Sequence, residues 1–127
     1  GLLLLTNDGE FTFRITHPSQ KIAKTYEVKV SGMLQDDAIK LLENGIIIDG
    51  RKTNPAVVVL LNKTIKFSVI TITIHEGRNR QIRKMIESIG HKVIALKRIS
   101  VGQLSLGGLR EGTWKFLSQR EISQNTN

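Results

Sequence analysis

Two-residue turn signals between short apolar runs are the feature of this sequence that most restricts its fold. Asn7-Asp8-Gly9, Asp49-Gly50 and Asn62-Lys63 each separate two such runs. Turns of this length join neighbouring antiparallel strands, and Asp-Gly is among their preferred sequences. The sequence therefore predicts an α+β domain, with a mainly antiparallel sheet and a few packed helices. The predicted strands are residues 2–5, 10–15, 24–30, 46–48, 56–61, 64–74, 92–99 and 112–117.

Capping signals predict two short helices. Asp36 and Asp37 can cap a helix over residues 38–43, which the next Asn-Gly pair would end. Ser118 and Glu121 have the spacing of a capping box, in which each residue binds the backbone of the other. We expect a short terminal helix after Ser118.

A third predicted helix has an unusual distribution of charge. Its apolar residues recur at i, i+3, i+4 and i+7, and Gly90 follows them as a left-handed cap: Ile82, Met85, Ile86 and Ile89. Its start carries four cations: Arg78, Arg80, Arg83 and Lys84. The helix dipole disfavours cations there by about 0.3–1 kcal/mol each. A solvated face normally places them in the last turn, so this start is predicted to hold an anionic group.

Net charge indicates the same kind of partner. Nineteen Lys and Arg residues against 11 Asp and Glu give a charge of +8, which favours nucleic acid first and an acidic membrane second. The chain has no cysteine, which excludes disulfides and thiol chemistry, and its three histidines lack metal-ligand spacing. The apolar run at residues 2–5 is too short to span a membrane. We expect a cytoplasmic protein.

Four motifs in order resemble one enzyme family. They are GLLLLTNDG at residues 1–9, KTYEV at 24–28, EGRNRQIRKM at 76–85, and LKRI at 96–99 followed by GQLSLG at 102–107. This series is similar to the RsuA family of pseudouridine synthases. The resemblance implies the pseudouridine synthase catalytic fold and the isomerisation of a specific uridine in ribosomal RNA. The nitrogen–carbon glycosidic bond of that uridine becomes a carbon–carbon bond.

The nucleophile that the resemblance implies is not in this sequence. In the family it is an aspartate in a G-R-L-D segment, just before the glycine that corresponds to Gly1. Asp8 corresponds to the turn aspartate of the first motif and is not its substitute. We expect residues 1–127 to be the C-terminal portion of a catalytic domain, without the catalytic-Asp segment or any N-terminal RNA-binding domain, and inactive alone. We also expect no metal or cofactor, and a monomer that binds ribosomal RNA.

The resemblance assigns active-site roles to four residues. Tyr26 corresponds to the tyrosine that stacks on the flipped base and serves in proton transfer; from the residues alone, a core tyrosine is the alternative. Arg83 corresponds to the arginine that pairs with the nucleophilic aspartate, since a guanidinium keeps a desolvated carboxylate ionised. Ile82 and Leu96 correspond to pocket-lining residues, and plain core packing would produce the same pattern.

The other basic residues form two groups. The predicted phosphate contacts are Arg78, Arg80, Lys84, Lys97 and Arg98. Such contacts make RNA binding salt-dependent without specifying sequence. We interpret four lysines as ordinary surface charges, with RNA contact as the alternative: Lys21, Lys24, Lys63 and Lys66. His75 is interpreted as a histidine at a strand end.

Two other functions fit the charge pattern. One is a non-catalytic RNA-binding or ribosome-assembly module that keeps the basic helix and lacks the nucleophile. A G-R-L-D segment upstream in the full polypeptide would distinguish the enzyme from this module. The other is an enzyme with a phosphate-containing ligand at a helix N-terminus. It is disfavoured because Gly77 stands alone, without a glycine-rich loop or a general base.

Overall fold

A five-stranded antiparallel sheet with two helices on one face forms the centre of the fold. The computed structural model describes residues 1–6, 9, 21–107, 109, 112–118 and 121. The elements are β1 (Lys24–Ser31), α1 (Asp36–Asn44), β2 (Ile47–Ile48), β3 (Arg51–Lys52), β4 (Val57–Lys63), β5 (Phe67–Ile74), α2 (Gln81–Ser88), β6 (Val93–Val101) and β7 (Leu104–Ser105).

The strand order confirms the predicted antiparallel architecture. In the large sheet it is β4-β5-β1-β6-β7, and each neighbouring pair is antiparallel. β2 and β3 form a separate two-stranded hairpin. The predicted strand at residues 10–15 and the Asn7-Asp8 turn lie outside the described residues. β1 is the central strand, so its side chains meet neighbours from both sides.

One face of the sheet is apolar and packed, and the other is more exposed and carries both polar and apolar side chains. Successive residues of a strand point to opposite faces, and β5 alternates strictly between half-buried and buried residues. The buried core residues are Val28, Val30, Leu34, Leu42, Ile48, Ala56, Ile70, Ile72, Ile74, Ile82, Met85 and Ile86. Burial of each large aliphatic side chain contributes about 1.5–3 kcal/mol. The core therefore lies between one sheet face and the apolar sides of α1 and α2.

The first helix is longer than predicted, and its N-cap residue differs from the predicted one. Gln35 is the N-cap residue, and its side chain makes no capping hydrogen bond. Asp36 and Asp37, predicted as caps, instead lie in the first turn, where the helix dipole favours carboxylates. Gly45 ends the helix as predicted, and its φ of 97° lies in the left-handed region that suits glycine.

The second helix ends as the sequence predicts. Gly90 has a φ of 85°, and its N–H donates to the Glu87 carbonyl while the His91 N–H donates to the Ile86 carbonyl. These two bonds form a Schellman motif, which satisfies carbonyls left free at a helix end. The Asp49-Gly50 turn is also confirmed. Both residues have positive φ, 50° and 75°, as a tight hairpin turn requires.

The turn between β4 and β5 lies later than predicted. Asn62 and Lys63 still pair with β5, and the chain reverses over residues 64–66. The Thr64 hydroxyl accepts a hydrogen bond from the Phe67 N–H at 3.0 Å, which closes this turn through a side chain. A bulge between Leu60 and Asn62 shifts the register by one residue, and local turn propensity does not predict such a shift.

Predictions for the two ends of the chain were wrong in part. Residues 2–5 are not a buried strand: Leu3 and Leu5 are 72% and 88% exposed, and residues 112–117 form no strand either. β7 was not predicted. The capping box is confirmed, because Ser118 and Glu121 exchange backbone–side-chain bonds of 2.9 and 3.1 Å. The helix predicted after it lies mostly outside the described residues.

Candidate functional site

Tyr26 occupies the middle of the sheet, on the face that carries the helices. It pairs with Ile72 of β5 on one side and with Arg98 of β6 on the other. Its ring is half-buried and packs against the core cluster to which Ile82 and Leu96 also belong. The predicted stacking tyrosine and both predicted pocket residues therefore belong to one cluster in the structure. Their arrangement presents an apolar surface beside charged groups.

The register of β6 separates two predicted phosphate contacts. Lys97 pairs with Glu27, whereas Arg98 pairs with Tyr26. Because paired residues in a sheet point to the same face, Arg98 shares the face of Tyr26 and Lys97 lies on the opposite, more exposed face. A register shift at Tyr26 leaves Ile99 without a partner, and this bulge fixes which β6 residue stands beside the tyrosine.

Arg98 also connects the N-terminal segment to β6. Its Nη2 and Nε donate to the Leu2 carbonyl at 2.8 and 3.2 Å, and the Leu2 N–H donates to the Arg98 carbonyl at 2.7 Å. These bonds hold the backbone of Leu2 next to the Tyr26 face. These bonds use Nη2 and Nε of the guanidinium.

The start of α2 depends on a buried residue that the sequence analysis missed. Gln81 is 3% exposed; its Oε1 accepts from the Arg78 N–H at 3.2 Å and its Nε2 approaches Met85 Sδ at 3.6 Å. Arg80, the N-cap residue, has a φ of 51°, an uncommon conformation for a residue with a side chain. The inward position of Gln81 in the apolar period was the only sequence signal that could have revealed this role.

Arg78 is used within the fold. Its side chain is 13% exposed, and its Nη2 donates to the carbonyls of Ile48 and Arg51 at 2.5 and 3.2 Å. Its Nη1 lies 3.9 Å from Glu76, whose other carboxylate oxygen accepts from the Asn54 N–H at 2.6 Å. These contacts connect the segment before α2 to the β2–β3 hairpin. The geometry favours a structural role, and phosphate contact by Arg78 stays a prediction.

Lys84 is bound to the same hairpin. Its ammonium lies 2.6 Å from Asp49 Oδ2, at the exposed tip of the hairpin. The hydrogen bond from Lys84 lowers the pKa of the Asp49 carboxyl, and the charges of Lys84 and Arg78 add to this shift. Two of the five predicted phosphate contacts therefore make their closest contacts inside the protein.

Arg80 and Arg83 remain accessible. Arg80 is exposed, and Arg83 is half-buried on α2 next to the fully packed Ile82. Among the residues that the structure describes, neither guanidinium has a hydrogen bond or an ion pair. Arg83 can therefore orient an incoming carboxylate, and Arg80 can meet an anion from solvent.

An apolar cleft at the β6–β7 edge shares Leu96 with this site. Leu96 and Lys97 line it together with the N-terminal segment and residues 112–117, whereas Tyr26 and Arg83 do not. Within the described ranges, no three His, Asp or Glu side chains are grouped closely enough to hold a metal ion. Of the helices in those ranges, none is long and apolar enough to cross a membrane.

The chain belongs to the RNA pseudouridylate synthase family, whose sequence profile matches residues 1–88. It is 48% identical over 126 residues to ribosomal large subunit pseudouridine synthase B of Bacillus subtilis strain 168, covering 98% of this chain and 52% of that protein. It is 35% identical to ribosomal small subunit pseudouridine synthase A of Vibrio cholerae, covering 97% and 53%. These relatives confirm the resemblance to the RsuA family.

A solved structure supports the same assignment. The crystal structure of a pseudouridylate synthase matches with a TM-score of 0.87 and 31% identity, over 94% of this chain and 52% of that chain. This match confirms the predicted α+β fold. The chain spans about half the length of the curated relatives it matches.

Replacement of Arg78 should destabilise the protein. We expect Arg78→Ala to lower the free energy of unfolding by about 1.5–3 kcal/mol, because two carbonyls lose a charged donor. Urea denaturation would measure this loss. Arg80→Ala is the matched control, with an expected change within about 0.5 kcal/mol, since Arg80 is exposed. Equal stability of the two variants would contradict the structural role of Arg78.

The Lys84–Asp49 pair should make stability depend on pH in the acidic range. The pKa of Asp49 is lowered in the folded state from its ordinary 3.8. The ionised carboxylate therefore stabilises the folded state above about pH 4. This stabilisation is lost as the pH falls through the folded-state value. We expect Asp49→Asn to be less stable than the parent at pH 7, and urea denaturation should show this difference shrinking as the pH falls below about 4. Asparagine also tolerates the left-handed turn. A difference that persists at low pH would contradict this interpretation.

Proposed function

We propose that this chain forms the C-terminal portion of the catalytic domain of a ribosomal RNA pseudouridine synthase, an isomerase. The observation that carries the proposal is that Tyr26 and Leu96 pack against the core cluster that contains Ile82. Arg83, the residue after Ile82, has no hydrogen bond or ion pair among the described residues. The family membership and the similarity to synthases of both ribosomal subunits support the same reaction.

Tyr26 would stack on the extruded uracil in this enzyme. Enzymes that modify a base extrude it from its stack at a cost of a few kcal/mol, and stacking on an aromatic ring returns about 1–3 kcal/mol. Ile82 and Leu96 would form the apolar wall of the pocket. The half-buried position of Tyr26 suits this role, because one part of the ring packs and the other part stays accessible.

Arg83 would hold the nucleophilic aspartate, which we propose to lie on polypeptide upstream of Gly1. An isolated carboxylate beside apolar side chains would be protonated, whereas an adjacent guanidinium keeps it charged and oriented. The charged form is required for attack on the sugar or the base. On this proposal residues 1–127 alone do not catalyse the reaction.

The accessible cations would bind the RNA backbone. Arg80 and Arg98 are the strongest candidates, since Arg80 is exposed and Arg98 lies beside Tyr26. Lys97 lies on the face of the sheet opposite Tyr26. It would therefore contact RNA only if the RNA also reached that face. Arg78 and Lys84 would position this surface through the hairpin. We further propose a monomeric cytoplasmic enzyme that needs neither metal nor organic cofactor.

Tritium release tests this function. Ribosomal RNA labelled at carbon 5 of uridine loses tritium when that carbon becomes the glycosidic carbon. The protein extended upstream through the G-R-L-D segment should release tritium, and residues 1–127 alone should not. If the extended protein binds RNA but releases no tritium from intact or precursor ribosomal RNA, the protein is a non-catalytic RNA-binding module.

Substitution of Arg83 in the extended protein should affect catalysis and leave RNA binding largely unchanged. We expect Arg83→Ala to abolish tritium release while changing RNA affinity by less than about twofold, a binding difference of roughly 0.4 kcal/mol. Arg83→Lys should also be strongly impaired, because an ammonium cannot form the paired hydrogen bonds of a guanidinium. Arg80→Ala is the matched control and should weaken RNA binding while keeping turnover at saturating RNA. Parent-like turnover of Arg83→Ala would remove this residue from the active site.

A further inference from the structure

Lys24 lies close to the candidate site, although the sequence analysis interpreted it as an ordinary surface charge. It is two residues before Tyr26 on β1 and therefore shares its face of the sheet. Its strand partners are Ile74 and Val101, both buried. The base of the Lys24 side chain is thus set among apolar groups, and only its end reaches the surface.

The loop before α2 is shaped to receive the Lys24 ammonium. A Cβ atom added to Gly77 would lie only 3.1 Å from Lys24 Nζ, so the ammonium rests against the space that a side chain at residue 77 would fill. Gly77 has an ordinary backbone conformation with no positive φ. Glycine at this position therefore permits the close approach of Lys24 and is not required by a positive φ.

Lys24 and Arg98 are like charges on one face of the sheet, and no carboxylate of the described residues pairs with either. Burial, and then the positive charge of Arg98, lower the pKa of the Lys24 ammonium. Within the described part of the chain, no group accepts a hydrogen bond from this ammonium, and no carboxylate forms an ion pair with either residue. Among the described residues, the Arg98 guanidinium donates through Nη2 and Nε, both to the Leu2 carbonyl. Two half-buried cations on the same face of a sheet repel each other, and a bound anion would relieve this repulsion.

We propose that Lys24 and Arg98 together bind one phosphate of the RNA backbone, next to the nucleotide that stacks on Tyr26. This inference rests on the proposed function for the identity of that nucleotide. Arg98 is paired with Tyr26 and Lys24 precedes it by two residues, so both cations border the tyrosine. A phosphate there would fix the backbone on one side of the extruded base. Lysine acts as a point charge and arginine offers a directed donor, which suits two oxygens of one phosphate.

Salt-dependent binding of a single-stranded oligouridylate tests this site in the extended protein. One phosphate contact on a single strand contributes about 0.7 to the slope of log affinity against log salt concentration. We expect Lys24→Gln to reduce the slope by about that amount, which corresponds to roughly fivefold weaker binding at 0.1 M salt. Lys29→Gln is the matched control, because Lys29 lies on the opposite face of the same strand, over the Phe67 ring. Equal slopes for Lys24→Gln and the parent would overturn the proposal.

Gly77→Ala tests the geometry without removing a charge. The added methyl group should displace the Lys24 ammonium and weaken oligouridylate binding, while urea denaturation shows parent-like stability. A second measurement uses oligouridylate with neutral methylphosphonate linkages. The parent and Lys24→Gln should bind this strand equally, since it offers neither protein a charged phosphate. A loss that persists with the neutral strand would assign Lys24 to a different contact and overturn the proposal.

These measurements are independent of turnover. If the protein releases no tritium but Lys24→Gln still reduces the salt slope, the phosphate site is supported and the proposed catalysis is refuted. If the protein releases tritium but Lys24→Gln leaves the salt slope unchanged, the catalysis is supported and the phosphate site is refuted.

Discussion

The pairing of β1 with β5 on one side and with β6 on the other is the constraint on which the candidate site depends. It places Tyr26 between Ile72 and Arg98, and it turns the tyrosine toward the helices. The bulge at Ile99 sets the β6 register at this point. Without that shift the next residue would face the tyrosine, and an apolar side chain would stand where the guanidinium lies.

The basic residues at the start of α2 also stabilise the fold. Arg78 and Lys84 connect the start of α2 to the β2–β3 hairpin through carbonyls and one carboxylate. Arg80 and Arg83 have no such partners in the described residues. The unfavourable placement of four cations at a helix start is therefore relieved in two ways: acceptors from the hairpin meet two of them, and solvent or a ligand meets the others.

Local patterns predicted much of the fold, and errors arose where distant contacts decide. Alternating apolar residues identified β1 and β5, and the Asp49-Gly50 pair identified the hairpin turn, because these signals lie within a few residues of each other. The run at residues 2–5 looked like a buried strand, but only the Leu2 backbone docks on β6. Motif resemblance predicted the site residues Tyr26, Ile82 and Leu96. Only the folded structure shows that they belong to one cluster.

The sequence by itself determined the antiparallel α+β class, the basic start of α2 and its Schellman cap, because periodicity and capping are local chemistry. Only the tertiary structure decided what each cation does. Arg78 finds its acceptors on Ile48 and Arg51, which lie far from it along the chain. Lys97 and Arg98, adjacent in sequence, point to opposite faces, and Lys24 gains Arg98 as a neighbour. The function of a charge depends on the groups that surround it in space, and strand register and loop packing set those groups.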